Sequence, residues 1–163
     1  MQELFYKTLG FIWFLSLAGF ANMAPVFVMR VPVLSYPIDF GKTFRGKRIF
    51  GNNKTFRGIF AAVFFGTVFF IAQKALYIRF EFIQDISAFS YQTAPLAYGT
   101  VVSFGAIFGD LVKSFFKRQS SVDSGESWFP FDQTDYCAGA LMFGAWFYLP
   151  GFTDALFILC FGL

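Results

Sequence analysis

The sequence predicts an all-α integral membrane protein, with four full transmembrane helices and a fifth that is short or truncated. Three observations lead there. The 163 residues are 56% hydrophobic and 23% aromatic, with only 14% charged, which is too apolar for a soluble domain of this size. Uncharged stretches run over 8–29, 58–73, 86–109 and 136–153, each near the roughly 20 residues a helix needs to cross the hydrocarbon. The basic residues fall outside them: of 13 Lys and Arg, seven lie in 30–57 and three in 110–135.

The first stretch, 8–29, reads as a retained helix. Its length exceeds a signal-peptide apolar core, and its only positive flank, Lys7, is offset by Glu3. Between the second and third stretches the charges of Lys74, Arg79, Glu81 and Asp85 cancel, so 74–85 is expected to be an external loop of interfacial anchors and solvated charge. After Asp154 only the uncharged residues 155–163 remain. At about 1.5 Å per residue they cover roughly half a bilayer, hence the short or truncated fifth helix. The positive-inside rule puts both basic segments, 30–57 and 110–135, in the cytoplasm of a plasma-membrane protein and the amino terminus outside. Gly105 and Gly109, and Ala140 and Gly144, are small-xxx-small pairs that allow the third and fourth helices to approach closely. Asn22 with Pro25 and Thr93 with Pro95 mark kinks or the wall of a lipid cleft.

The chain has no His, and Cys137 and Cys160 stand far apart in apolar segments. Zinc centres, Cys-His catalysis and Ser-His triads therefore lose their main residues, and both cysteines are expected to pack.

The first basic segment contains Lys-Thr-Phe-Arg-Gly twice, at Lys42 to Gly46 and Lys54 to Gly58. Two copies make no solenoid, but they concentrate cationic and amide donors beside glycines that let backbone approach an anion. A polybasic lipid anchor accounts for the charge; the ordered Asn, Thr and Gly favour a binding loop. A P-loop is excluded because Asn52 and Asn53 separate Gly51 from Lys54-Thr55.

In the second basic segment, continuation of the third helix past 109 puts Asp110, Ser114, Lys117 and Arg118 on one face. Asp132 and Asp135 lie one turn apart at the start of the fourth helix and reach back toward Asp110. Three carboxylates without His or Cys are hard oxygen ligands of the kind Mg²⁺ takes alongside substrate phosphates. Helix capping offers an alternative for Asp132 and Asp135, but it leaves Asp110 at a helix C-terminus, where negative charge is disfavoured. Asp123 and Glu126 read as solvated charges, and Lys113 as a surface ion pair with Asp110.

These residues carry a resemblance. Gly109-Asp110, Ser114-x-x-Lys117-Arg118, a proline, and Asp132-Gln133-x-Asp135 resemble the signature of membrane cytidylyltransferases. Pro37-x-Asp39-x-Gly41 and Gly51-x-x-Lys54-Thr55-x-Arg57-Gly58 resemble their compact relatives, the CDP-archaeol synthases. The chain departs from the compact family at Phe56, where a Trp is frequent, and at Asp123-Ser124-Gly125, which is closer to the diglyceride enzymes.

The resemblance implies transfer of CMP from CTP to an anionic lipid phosphate, with pyrophosphate released. It implies an active site built from the two cytoplasmic loops, in which Asp110, Asp132 and Asp135 hold Mg²⁺ and act with Lys117 in catalysis. Asn53, Lys54, Thr55 and Arg57, together with Ser114, Lys117 and Arg118, would bind the nucleotide. Partners are then CTP, a lipid phosphate and membrane lipids, with a second copy of the chain admissible and nucleic acid not expected. An archaeal-type ether lipid acceptor is favoured over phosphatidate. A small transporter is the competing class, but it ordinarily carries ionisable groups at mid-membrane, and an adaptor would not require three carboxylates beside two basic motifs.

Overall fold

The computed structural model describes residues 2–123, 126–148, 155–156 and 159. It contains α1 (Gln2–Phe27), a hairpin of β1 (Thr43–Phe44) and β2 (Lys47–Arg48), α2 (Phe56–Arg79), α3 (Glu81–Ile86), α4 (Leu96–Gln119) and α5 (Phe131–Gly144). Three of these helices, over Phe5–Phe27, Phe56–Arg79 and Leu96–Gln119, are long and apolar enough to cross a membrane. Their outward faces are correspondingly greasy. Phe60, Phe64, Val68 and Ile71 form an exposed stripe on α2, and Phe104, Phe108, Val112 and Phe116 form another on α4, each at helical spacing.

The expected spans shift in ways the sequence explains. The second does not stop near 73: α2 runs to Arg79, because Lys74 and Arg79 are good helix formers. Lys74 donates from Nζ to the Ala94 carbonyl at 2.8 Å. The segment 74–85 is therefore the end of α2 followed by α3 rather than a loop. The third span does not begin at 86. Residues 87–95 are not helical, and Pro95 forms the cap from which α4 starts, as expected where a proline disfavours helix in the residue before it. The aromatic side chains of that segment pack inward, with Phe89 and Tyr91 stacked 4.5 Å between centroids. The absence of charge between 86 and 109 concealed the interruption. The fourth helix starts earlier than 136, at Phe131, and has 14 residues. Residues 149–154 and most of the expected fifth helix, together with Cys160, lie outside the described residues. Cys137 packs in the core as expected.

The two copies of Lys-Thr-Phe-Arg-Gly fold differently. In the first, Arg45 and Gly46 have φ of 53° and 77°, the doubly left-handed turn that closes a two-residue hairpin, and Thr43 pairs with Arg48. In the second, Thr55 is the N-cap of α2, its Oγ1 accepting from the Gly58 N–H at 3.2 Å.

The contact between α4 and α5 is made backbone to backbone. A Cβ on Gly109 would lie 2.1 Å from the Asp135 carbonyl oxygen, and one on Gly139 would lie 2.1 Å from that of Gly105. Gly105 and Gly109 serve as expected. On α5 the backbone contact is made by Gly139, and Gly144, expected at this contact, also faces α4 through Val102 and Tyr98. Gly109→Ala must push α5 away and is expected to destabilise the protein by about 1–3 kcal/mol. A thermal melt in detergent reads this as a lowered Tm, and Gly41→Ala, whose Cβ meets nothing within 4 Å but whose φ is +79°, serves as a strained-turn comparison away from the helix contact.

Candidate active site

The two basic segments meet at one end of the helices. Lys47, on β2, donates from Nζ to the Gln119 carbonyl and to Ser121 Oγ, both at 2.6 Å, so the hairpin is pinned to the C-terminal end of α4, where a cation is favoured. Gln119 Nε2 donates back to the Arg48 carbonyl at 3.4 Å.

Asp39 organises the rest of the first segment. Its carboxylate accepts from the backbone N–H groups of Gly41, Phe50 and Gly51, each at 3.0 Å, and from Arg48 Nη2 at 2.7 Å. Burial pushes this carboxyl up, but Arg48 and the three N–H groups outweigh burial and hold it well below the usual carboxylate range. The chain is thereby folded back so that Asn52 to Thr55 arrive beside α4.

There Lys54 forms an ion pair with Asp110 Oδ2. Asn53, Lys54, Thr55 and Arg57 line a cavity of about 450 Å³ with Asp110, and Asn22 and Pro25 of α1 form its far wall. All four expected nucleotide-binding residues of the first segment are brought together. Thr55 also caps α2, and Arg57 Nη1 also donates to the Val31 carbonyl.

α4 continues to Gln119, so Asp110, Ser114, Lys117 and Arg118 share a face as the spacing predicts. Asp110 is therefore inside the helix and not at its C-terminus, which removes the macrodipole objection. Asp110, Ser114 and Lys117 are buried. Lys117 pairs with Asp132 Oδ2 at 3.3 Å and donates to the Glu126 carbonyl. Arg118 lies along Gly51, and its Nε is buried without a partner. Ser114, Lys117 and Arg118 do not line the cavity of Lys54 and Asn53; they continue from it along α4.

The three carboxylates converge on an ammonium. Lys113 Nζ lies 3.1 Å from Asp110 Oδ1, 3.0 Å from Asp132 Oδ1 and 2.9 Å from Asp135 Oδ2. The surface pair expected of Lys113 is corrected accordingly: its side chain is 15% exposed and it joins all three aspartates. Its position was readable, since Asp110, Lys113, Ser114 and Lys117 fall on one face, but a lysine three residues from an aspartate is usually just a surface pair. Asp132 does not cap α5, whose N-cap is Pro130. It accepts from the Trp128 N–H at 2.5 Å instead. Burial pushes the Asp132 carboxyl up, but the Trp128 N–H with Lys113 and Lys117 prevails and leaves its pKa lowered. Burial wins at Asp135, whose pKa is raised.

Among the described residues no three such side chains stand ready-made for a metal ion, because the common focus is occupied by Lys113. The donor set itself fits a hard divalent cation. It consists of carboxylate oxygens alone, and Asp135 Oδ2 is buried with a cation in range but no aligned hydrogen bond.

On the other side of the cluster is a groove of about 520 Å³ between α4 and α5. It is lined by Phe108, Val112 and Phe116, by Trp128, Phe131 and Met142, and at its polar corner by Lys113 and Asp135. The aspartates thus divide a polar cavity from an apolar groove whose α4 wall belongs to the exposed apolar stripe of that helix.

A family model described as CarS-like, CDP-archaeol synthase, matches residues 1–162. The chain belongs to the CDP-archaeol synthase family. The resemblance read from the two loops is borne out, and with it the enzyme class, a CTP-dependent cytidylyltransferase. The CDP-archaeol synthase of Methanoculleus marisnigri is 40% identical over 110 residues, covering 65% of this chain and 61% of that protein. The CDP-archaeol synthase of Thermococcus onnurineus is 36% identical over 132 residues, covering 80% and 71%. The fold is similar to a solved structure described as an intramembrane enzyme for archaeal membrane lipid biosynthesis, with a TM-score of 0.72 and 25% identity over 93% of this chain and 86% of that one.

Asp39→Asn removes a charge from the hub of this CDP-archaeol synthase family member and is expected to cost about 1–3 kcal/mol. Because the folded-state pKa of Asp39 is depressed, its contribution is fully present above the unfolded value near 4 and is lost as pH falls through the folded value. The Tm gap between wild type and Asp39→Asn should therefore be full at pH 6–8 and shrink below about pH 4.

Proposed function

We propose that this protein transfers CMP from CTP to an archaeal-type ether lipid phosphate at the cytoplasmic membrane surface, releasing pyrophosphate and forming a CDP-activated lipid. One observation carries the reading: the three-aspartate cluster stands between a polar cavity lined by Asn53, Lys54, Thr55 and Arg57 and an apolar groove between α4 and α5. A water-soluble triphosphate and a lipid headgroup can reach the same few atoms from opposite sides.

In this reading Lys54 and Arg57 bind the triphosphate from the polar cavity, with Asn53 and Thr55 supplying neutral donors. Lys117 and Arg118 extend the positive surface along α4 toward the leaving pyrophosphate. Asp110, Asp132 and Asp135 would hold Mg²⁺. Bound there, it supplies neutralisation of phosphate charge and stabilises the leaving group.

The acceptor phosphate monoester has a second pKa of about 6, so at neutral pH it needs no histidine to attack. Its oxygen forms a bond to the α-phosphorus of CTP while the α–β bridging P–O bond breaks, and the electron pair leaves with pyrophosphate. The protein's part is to hold two mutually repelling anions in line and to screen their charge, which are the contributions of positioning and electrostatics.

The acceptor's tails lie in the groove of α4 and α5, against Phe108, Val112 and Phe116, and its phosphate meets the polar corner. Both basic segments then face the cytoplasm, where CTP is found, and the amino terminus lies outside a plasma membrane crossed by α1, α2, α4 and a fourth span that begins with α5. The apolar lining of the groove suits isoprenoid and acyl tails alike. The ether acceptor is favoured over phosphatidate because the relatives are CDP-archaeol synthases.

Purified protein given radiolabelled CTP, Mg²⁺ and an unsaturated ether lipid phosphate should make CDP-lipid and pyrophosphate, faster than with phosphatidic acid. Asp132→Asn should reduce the rate by at least about 10²-fold with Tm retained. Absence of nucleotide turnover in the wild type would sink the proposal in favour of a transporter, and faster turnover of phosphatidic acid would reassign the lipid.

A further inference from the structure

The reaction reading leaves Lys113 without a role, yet it is the residue that touches most of the site. Its ammonium is shared by Asp110, Asp132 and Asp135 at 2.9–3.1 Å, the place at which three hard oxygen donors meet. The neighbouring lysines are committed elsewhere: Lys54 comes from the opposite loop to Asp110 alone, and Lys117 is tied to the Glu126 carbonyl as well as to Asp132.

The hold on Lys113 is mainly electrostatic. Asp135 Oδ2, at 2.9 Å, makes no aligned hydrogen bond with it. A lysine head also turns freely on a four-carbon stem, unlike the planar fork of an arginine. That stem lines the apolar groove, so the carboxylate cluster and the groove are joined by one flexible side chain.

We propose that Lys113 is an exchangeable counter-ion: it neutralises the three aspartates in the absence of a divalent cation, and when one binds it turns into the groove and there binds the phosphate of the acceptor lipid. The inference rests on the reaction reading for the identity of both ligands. Charge drives the exchange. Three carboxylates hold a double charge better than a single one, while an ammonium set loose against Phe108, Val112 and Phe116 is unfavourable until an anion joins it. A lipid phosphate supplies that anion. Cation binding and acceptor binding must then reinforce each other, and by thermodynamic linkage each raises the other's affinity by the same factor.

The experiment reads binding rather than turnover. Mn²⁺ is titrated into purified protein in detergent and followed through the free-ion electron paramagnetic resonance signal, with and without an ether lipid phosphate in the micelles. The dephosphorylated lipid alcohol is the control. In the wild type the lipid phosphate should tighten Mn²⁺ binding about tenfold, and the alcohol should not.

Lys113→Met keeps the stem and removes the competing charge. It should bind Mn²⁺ about tenfold tighter than the wild type with no lipid present, and the lipid phosphate should tighten it no further. Lys113→Arg should compete like the wild type. Should Lys113→Met fail to fold, Lys113→Gln is read by the same criteria.

Equal or weaker Mn²⁺ binding by the uncharged variant overturns the exchange, and an undiminished lipid effect in that variant overturns the acceptor role. A wild type that makes no CDP-lipid would instead count against the reaction reading, and these isotherms would be unaffected by it.

Discussion

Three carboxylates within reach of one another, two of them buried, cannot stand without cations, and most of this structure serves that requirement. Asp110 and Asp135 are buried and Asp132 is half-buried. Their repulsion in a poorly hydrated site would raise their pKa values or drive the helices apart. The protein answers with three ammonium groups drawn from different places: Lys113 and Lys117 from α4 itself, and Lys54 from the loop before α2. The glycine contact of α4 with α5 brings the aspartates together, and the Asp39 hub and the Lys47 pin hold the loop so that Lys54 arrives. Distant features such as a hairpin turn and a helix crossing thus contribute to the same electrostatic balance.

That balance clarifies which parts of the molecule a sequence can disclose. The long apolar helices were legible because a bilayer imposes their length and composition directly, and the face shared by Asp110, Ser114, Lys117 and Arg118 followed from helical spacing once α4 was allowed to run on. The convergence of Asp132 and Asp135 on Asp110 was legible for a similar reason, since one helical turn separates them. Where the sequence misled, a local rule lost to a tertiary one. The non-helical stretch before Pro95 carries no charge to set it apart from the span that follows, and its Phe89 and Tyr91 side chains fill the bundle. Lys113 resembled a surface pair because nothing in its neighbours states that two further aspartates arrive from α5.

The repeated pentapeptide makes the same point from the other direction. Identical residues at Lys42 to Gly46 and Lys54 to Gly58 take unrelated forms, a hairpin turn and a helix start. In the first copy Gly46 supplies a left-handed backbone and its lysine and arginine stay exposed. In the second, Gly58 packs against Pro25 of α1, and lysine and arginine face the polar cavity. The chemistry resides in where the segment is held. Charge alone would have assigned both copies the same task, and only the second copy lines the cavity with Asp110.

The division between polar cavity and apolar groove follows from the two faces of α4. Its apolar stripe continues from Phe104 through Phe108 and Val112 to Phe116, while its opposite face carries Asp110, Ser114 and Lys117 into the interior. One helix therefore presents a lipid wall and a charged wall at the same depth, and Asp110 and Lys113, three residues apart, open toward different compartments. A reaction joining a water-borne nucleotide to a membrane-borne phosphate needs such a boundary, with both reactants admitted and water kept from the groove. A soluble enzyme would build it from two domains closing on each other. In the proposed reaction α4 would provide it, with the close packing of Gly105, Gly109 and Gly139 holding α5 against that helix.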